Sequence, residues 1–152
     1  LDYLNMVNDQ NHQISVKLSA KMDKTAQAVE RLQEENFRLK GQVGQLVDDM
    51  CRKEAERYAG SGSVLIFMDG MDADSVRKLA DAVTQTCQGC CAVFSGNADG
   101  SYKYAMGEKD GDLRQFTKEM NAKLNGRGGG KPFFVQGSVQ ASEKEIRNFF
   151  EQ

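Results

Sequence analysis

Gly60-Ser61-Gly62-Ser63-Val64-Leu65-Ile66-Phe67-Met68 is where this chain changes from one kind of structure to another. The Gly/Ser run has the composition of a hinge. The five apolar residues after it read as a strand buried on both faces. Upstream, residues 1 to about 59 hold neither proline nor a glycine cluster and space their apolar residues in a helical rhythm. Downstream, short apolar runs alternate with turn residues and helix caps. The fold class that follows is α+β: an N-terminal helical hairpin or coiled-coil arm (residues 1–59), then a small mixed β-sheet flanked by helices (residues 60–152).

The downstream half reads in order. Asp72 caps a helix whose inward face is Val76, Leu79, Ala80 and Val83. Cys91-Ala92-Val93-Phe94 is a second strand, and Asn97-Ala98-Asp99-Gly100 turns the chain into an alternating strand from Tyr102 to Met106, so the two form a hairpin. Leu113, Phe116, Met120 and Leu124 give the next helix its apolar face. Phe133-Phe134-Val135 is a short strand. Ser142-Glu143-Lys144-Glu145 is a capping box that opens the last helix, with Ile146, Phe149 and Phe150 turned inward. The expected order is β-α-β-β-α-β-α.

The arm carries Leu4, Val7, Asn11, Ile14 and Leu18 at alternating three- and four-residue steps. A second series runs Met22, Thr25, Val29, Leu32, Asn36, Leu39, Val43, Leu46 and Met50. This is a heptad seam, but its two halves are out of phase between Leu18 and Met22. A stutter within one helix accounts for the slip, as does a turn before a second helix capped by Asp23; two antiparallel helices of unequal length are the preferred expectation. The longer one, roughly 24 to 58, has Glu34–Arg38, Asp48–Arg52 and Asp49–Lys53 at i,i+4. At about 1.5 Å per residue it reaches about 50 Å, more than the short helix covers. Either a second copy of the chain or the globular half then covers Leu39, Val43 and Leu46.

The run Asn125-Gly126-Arg127-Gly128-Gly129-Gly130-Lys131-Pro132, followed by Gln136-Gly137-Ser138, is the candidate functional element. Glycine permits positive φ and close approach of the main chain to something bulky or charged. Arg127 and Lys131 bracket the run, so exposed N–H groups and two cations share one small surface, a combination suited to a phosphate oxygen. A flexible connection between a helix and a strand explains the glycines equally well. The net charge of −2 makes no global case for nucleic acid. Locally, Arg114, Lys118, Lys123, Arg127 and Lys131 face only Glu119 between residues 114 and 131.

Composition narrows the rest. A 39% hydrophobic, 28% charged chain with one proline suits a helix-rich domain with a packed core. No apolar run approaches the ~20 residues of a membrane span, and no basic-then-apolar leader opens the chain, which begins without methionine like a piece of something longer. Cys87-Gln88-Gly89-Cys90 has the spacing of a zinc knuckle or redox pair, but no second pair completes a site. Buried, reduced thiols are the expectation for Cys51, Cys87, Cys90 and Cys91, together with a cytoplasmic location. Asp69, Asp72 and Asp74 crowd one loop, where a cation site and simple capping both fit.

Gly126 to Pro132, then Gln136-Gly137, resembles the glycine-rich signature near the end of alanyl-tRNA synthetases and long-form alanyl-tRNA editing proteins, in the domain shared with DHH-type phosphoesterases. Gly70-Met71-Asp72-Ala73, the Asn97 to Gly100 turn and the heptad helix agree in order and spacing. Leu1 to Leu4 resembles the segment that follows the editing domain. The resemblance implies a module that engages the outer corner of tRNA and dimerises through its arm, with Arg127, Gly128, Gly129, Gly130, Lys131, Gln136 and Gly137 as motif surface. It also implies that catalysis resides elsewhere: the family's editing centre needs several histidines and a cysteine around zinc, and His12 is the only histidine here. Lys131 stands where the phosphoesterases place a histidine.

The expected function is therefore a non-catalytic tRNA-binding and dimerisation module, with no metal, cofactor or catalytic residue of its own. Its partners are tRNA (tRNA-Ala), a second copy, and the absent editing or catalytic domain of the parent chain. Lys118 and Lys123 join Arg127 and Lys131 on phosphates, while Tyr102 or Tyr104 either stacks on an unpaired base or fills a half-buried strand face. Two alternatives stand beside this: the substrate-binding half of a DHH-type phosphoesterase acting on nucleotides or oligonucleotides, and a pure oligomerisation arm.

Overall fold

A computed structural model describes all residues, 1–152, as two compact units, Leu1–Leu46 and Val47–Gln152. In the first unit α1 (Asp2–Lys17) ends in a bend with Ser19 at a positive φ of 49°. A single 3-10 turn, Met22–Lys24, then leads into α2 (Thr25–Arg57). The heptad slip between Leu18 and Met22 is thus a turn and not a stutter. Asp23 lies within the 3-10 turn, and its side chain makes no capping hydrogen bond. No residue of α1 is buried. Leu32, Leu39, Val43 and Leu46 are exposed along α2.

The expected i,i+4 ion pairs on α2 are replaced by pairs one residue tighter. Arg38 bonds Glu35 and Arg52 bonds Asp49, both at i,i+3. Both spacings bring side chains together on a helix, and in each case the guanidinium takes the nearer carboxylate.

The second unit is a five-stranded mixed sheet in the order β1-β2-β3-β5-β4, packed on both faces. β1 (Val64–Phe67) runs parallel to β2 (Cys91–Gly96), linked through α3 (Ala73–Thr84). β2 and β3 (Tyr102–Gly107) form the expected hairpin. After α4 (Arg114–Lys123), β4 (Arg127–Lys131) and β5 (Phe134–Val139) make a second hairpin, and β5 pairs with β3. The chain closes on α5 (Glu143–Glu151).

Strand alternation sorts the core into two layers. Val64, Ile66, Cys91, Val93 and Ala105 point to one face, against Val76, Leu79 and Val83 of α3 and Val47, Met50 and Cys51 of α2. Ala92, Phe94, Tyr104, Met106, Val135 and Val139 point to the other, against Leu113, Met120 and Leu124 around α4 and Ile146 of α5. Leu79 is fully buried, worth about 1.5–3 kcal/mol in apolar transfer alone. Cys51, Cys87 and Cys91 are core residues. Burial pushes the Cys90 thiol up to about 12 and Cys91 up as well, which disfavours the thiolate form of both.

The sequence order is corrected at one place: there are five strands where four were expected. The glycine run is itself β4, an exposed edge strand, instead of an open loop. The strand expected at Phe133 begins one residue later, because Pro132 and Phe133 form the hairpin turn.

Two of the three carboxylates crowded before α3 are engaged within the helix's first turns. Asp72 accepts from the Ser75 amide at 2.8 Å, and Asp74 pairs with Arg77 at 2.8 Å. These bonds hold both carboxyls below their ordinary values. At α5 the capping box is complete: Ser142 Oγ accepts from the Glu145 amide at 3.2 Å, and Glu145 Oε2 accepts from the Ser142 amide at 2.7 Å.

Two consequences are measurable. Ser142→Ala should destabilise the sheet unit by about 1 kcal/mol, within the range for lost caps, read by urea unfolding. The Ser142 amide and hydroxyl depress the Glu145 pKa, so the carboxylate half of the box contributes fully above the unfolded glutamate value and is lost as pH falls through the lower folded one. The stability gap between wild type and Ser142→Ala should therefore narrow under acid; a gap unchanged down to pH 2 contradicts this.

Candidate nucleic-acid interface

The helix preceding the glycine strand stops at Leu124, and Asn125 takes the left-handed conformation (φ 52°) that asparagine tolerates beyond a helix end. The next residue, Gly126, donates its amide to the Asn121 carbonyl at 2.8 Å. β4 then pairs with β5 in the register Arg127↔Ser138, Gly128↔Gly137, Gly129↔Gln136, Gly130↔Val135, Lys131↔Phe134. All five β4 residues are exposed.

The glycines divide by face. Beneath the strand lies Tyr104, 2% exposed, whose hydroxyl donates to Asn121 Oδ1 at 3.1 Å. The Asn121 amide in turn donates to the Gly128 carbonyl at 3.3 Å. A Cβ on Gly128 would lie 2.5 Å from the Tyr104 hydroxyl, and one on Gly137 would lie 2.0 Å from the Arg127 carbonyl. Gly128 also has φ 151°, which side chains rarely adopt. Gly126 and Gly130 are hemmed in by their own chain as well, with Cβ contacts of 2.7 and 2.4 Å. Gly129 differs: nothing lies within 4 Å of its Cβ position. Glycine inside a strand marks close backbone approach. At 126, 128, 130 and 137 the approaching group belongs to this chain; at 129 the space is open.

Arg127, Gly129 and Lys131 share one face of β4 with Gln136 and Ser138 of β5, by alternation and register. Four residues of strand separate the two cations by on the order of 13 Å, with the open Gly129 between them. α4 packs behind the strand. A cleft of about 300 Å³ between them is lined by Lys118, Asn121 and Gly128 to Gly130. Cations thus flank the glycine edge on both sides of the sheet.

Pairing decides which of these charges are free. Arg114 is held by Asp112 through two bonds of 2.9 and 2.7 Å, which keep that carboxyl at about 2. Arg77 and Arg147 are likewise paired. Lys118, Arg127 and Lys131 belong to no ion pair. Lys123 is turned away: its Nζ donates to Gln152 at 3.3 Å and sits 5.8 Å from the Phe149 ring. The structure therefore brings Arg127, Lys131, Gln136 and the glycines together, places Lys118 at the adjoining cleft, and separates Lys123.

Tyr104 is buried, and burial raises its pKa against the opposing pull of the Asn121 bond. Tyr102 is half-buried, edge-on to Phe67 at 6.0 Å. The half-buried-face alternative holds for Tyr102, while Tyr104 is a core residue outright. Asn121, which ties β3 to β4, escaped the sequence reading; a polar residue next to Met120 on a helix's inward side was its only signal.

An α+β unit with a mixed sheet and a glycine edge strand is the class that this geometry defines, and the chain belongs to the DHHA1 domain family, whose profile matches residues 61–152. It is similar to the C-terminal part of alanyl-tRNA synthetases. Across 95% of its length it is 23% identical to the alanine–tRNA ligase of Psychrobacter sp. (strain PRwf-1), of which it covers 17%. Over 52% of its length it is 30% identical to that of Acholeplasma laidlawii (strain PG-8A), covering 9%. The chain thus spans less than a fifth of these relatives. The crystal structure of the C-Ala domain from Aquifex aeolicus alanyl-tRNA synthetase shares the fold: TM-score 0.52, 17% identity, 61% of this chain and 92% of that one. No helix is long and apolar enough to cross a membrane.

The glycines separate experimentally. Gly137→Ala should lower stability by on the order of 1–3 kcal/mol, the range for overpacking, whereas Gly129→Ala should leave the thermal midpoint within about a degree of wild type. Equal losses in differential scanning calorimetry contradict the division.

Proposed function

We propose that this chain is a non-catalytic tRNA-binding and dimerisation module, residues 60–152 gripping RNA and residues 1–59 serving as the arm. The observation that carries the reading is the exposed glycine strand with Arg127 and Lys131 unpaired on one face and Lys118 unpaired beyond the other. Edge strands present unpaired amides, and glycine removes the side chains that would keep a sugar–phosphate chain away. Phosphate oxygens accept from those amides and from the three cations. The likeness to alanine–tRNA ligases supports tRNA, specifically tRNA-Ala, as the RNA. On this reading the parent is an alanyl-tRNA synthetase or a free-standing editing hydrolase of the cytoplasm, and its absent catalytic or editing domain acts on the tRNA held here.

Fluorescence anisotropy with a tRNA-Ala transcript tests the grip. Arg127→Ala and Lys131→Ala should each weaken binding at low salt and each reduce the slope of log K against log salt by about 1. Lys123→Ala should change the slope least. A slope indifferent to Arg127 and Lys131 overturns the phosphate grip, and tight binding of a free mononucleotide in its place favours the phosphoesterase-type reading.

Dimerisation rests on the uncovered seam. Leu39, Val43 and Leu46 are exposed, Leu46 at 68%, and Asn36 at a seam position would specify register. Analytical ultracentrifugation should show a concentration-dependent dimer for the wild-type chain and a monomer for Leu39→Lys/Val43→Lys; unchanged association in the double variant contradicts an arm-mediated dimer.

A further inference from the structure

Phe133 is the one large hydrophobic residue of the Val47–Gln152 unit that is exposed, at 50%. Every other large apolar side chain of that unit is buried or half-buried in its two core layers. A single exposed apolar residue is ordinary on a protein surface; the placement of this one is not. It occupies the tip of the β4–β5 hairpin, two residues beyond Lys131 in sequence order. The tip is pinned from below on both of its residues. The Pro132 carbonyl accepts from the Leu113 amide at 2.7 Å, and the Phe133 carbonyl accepts from the Glu108 amide at 3.0 Å. Pro132 adds its own restriction on φ. Phe134, next in sequence, packs against the α3-side core and anchors the turn from the other end. The Lys131 ammonium stands 5.7 Å from the Phe133 ring centroid, within the range of a cation–π contact.

A rigidly mounted, solvent-facing ring at the end of an open strand of cations is the arrangement on which nucleobases stack. We propose that Phe133 is a base-stacking platform, so that the RNA held by the glycine strand presents the face of an unpaired base next to a phosphate bound by Lys131. This deepens the RNA-binding reading and rests on it. Phe133 takes the role that the sequence offered to Tyr102 and Tyr104, both of which the fold withdraws. Lys131 supplies charge and Phe133 supplies a flat apolar surface, so the two make different demands: the first on any backbone, the second on a base free of its stack.

The test uses the intact chain and two RNA probes of similar length: a hairpin with 2-aminopurine in its unpaired loop, and a dumbbell closed at both ends by base-free linkers, so that every base is paired and stacked. Wild type should bind the looped RNA more tightly and quench its 2-aminopurine fluorescence. Phe133→Leu should bind the looped RNA about 10-fold more weakly, with no quenching and an unchanged salt slope, while Phe133→Trp should restore both affinity and quenching. The dumbbell should be bound equally by all three. Looped-RNA affinity and quenching unaffected by Phe133→Leu, or equal loss on both probes, overturns the platform while leaving the phosphate grip intact. Absence of wild-type binding to either probe sinks the RNA-binding reading itself. A change in self-association with no change in RNA affinity marks Phe133 as a protein contact and also overturns the proposal.

Discussion

Tyr104 fills the space directly under the Gly128–Gly137 pair, and the form of the glycine edge depends on that contact. The hydroxyl lies where a Cβ of either glycine would go, and it is fixed by Asn121, which also holds the Gly128 carbonyl. Three elements (β3, α4 and β4) are therefore locked through one buried phenol and one side-chain amide. Without small residues above it, the ring would push β4 off β5, and the sheet would end at β5.

The two faces of β4 differ in character. Gly128 makes room for the tyrosine below, whereas Gly129, with open space at its Cβ position, leaves the middle of the opposite face bare. Arg127 and Lys131 mark its ends, Gly129 leaves its middle open, and α4 brings Lys118 to the adjoining cleft. The glycine strand thus lies exposed among unpaired cations on a chain whose overall charge is slightly negative. Arg127, Lys131 and Lys118, none of them in an ion pair, give this edge a local positive charge.

What could be read from sequence was what local pattern controls. The apolar run at Val64, the Asn97–Gly100 turn, the Asp72 cap and the Ser142 capping box each announce themselves within a few residues. The heptad slip located the bend between α1 and α2. The glycine run was opaque because its strand conformation is imposed by β5 and Tyr104, partners that no local propensity reveals; glycine ordinarily argues against a strand. The identities of the ion-pair partners on α2 turned on rotamers, which spacing does not determine. Tyr104 is buried and Phe133 exposed for the same reason: alternation says which residues share a face, but only the assembled layers say which face is covered. At the site itself, Arg127, Lys131, Gln136 and the glycines were legible as a group, whereas Asn121's place in the network and Lys123's turn toward α5 required the packed helices.

In the proposed complex, RNA lies along β4. The most direct measurement is amide NMR of the chain titrated with tRNA-Ala, following Arg127, Gly128, Gly129, Gly130 and Lys131 by chemical shift and by hydrogen exchange. RNA along β4 should shift these amides first and protect them, with those of α3 and α5 little changed. Saturating tRNA that leaves the β4 amides unmoved while perturbing another face would contradict it.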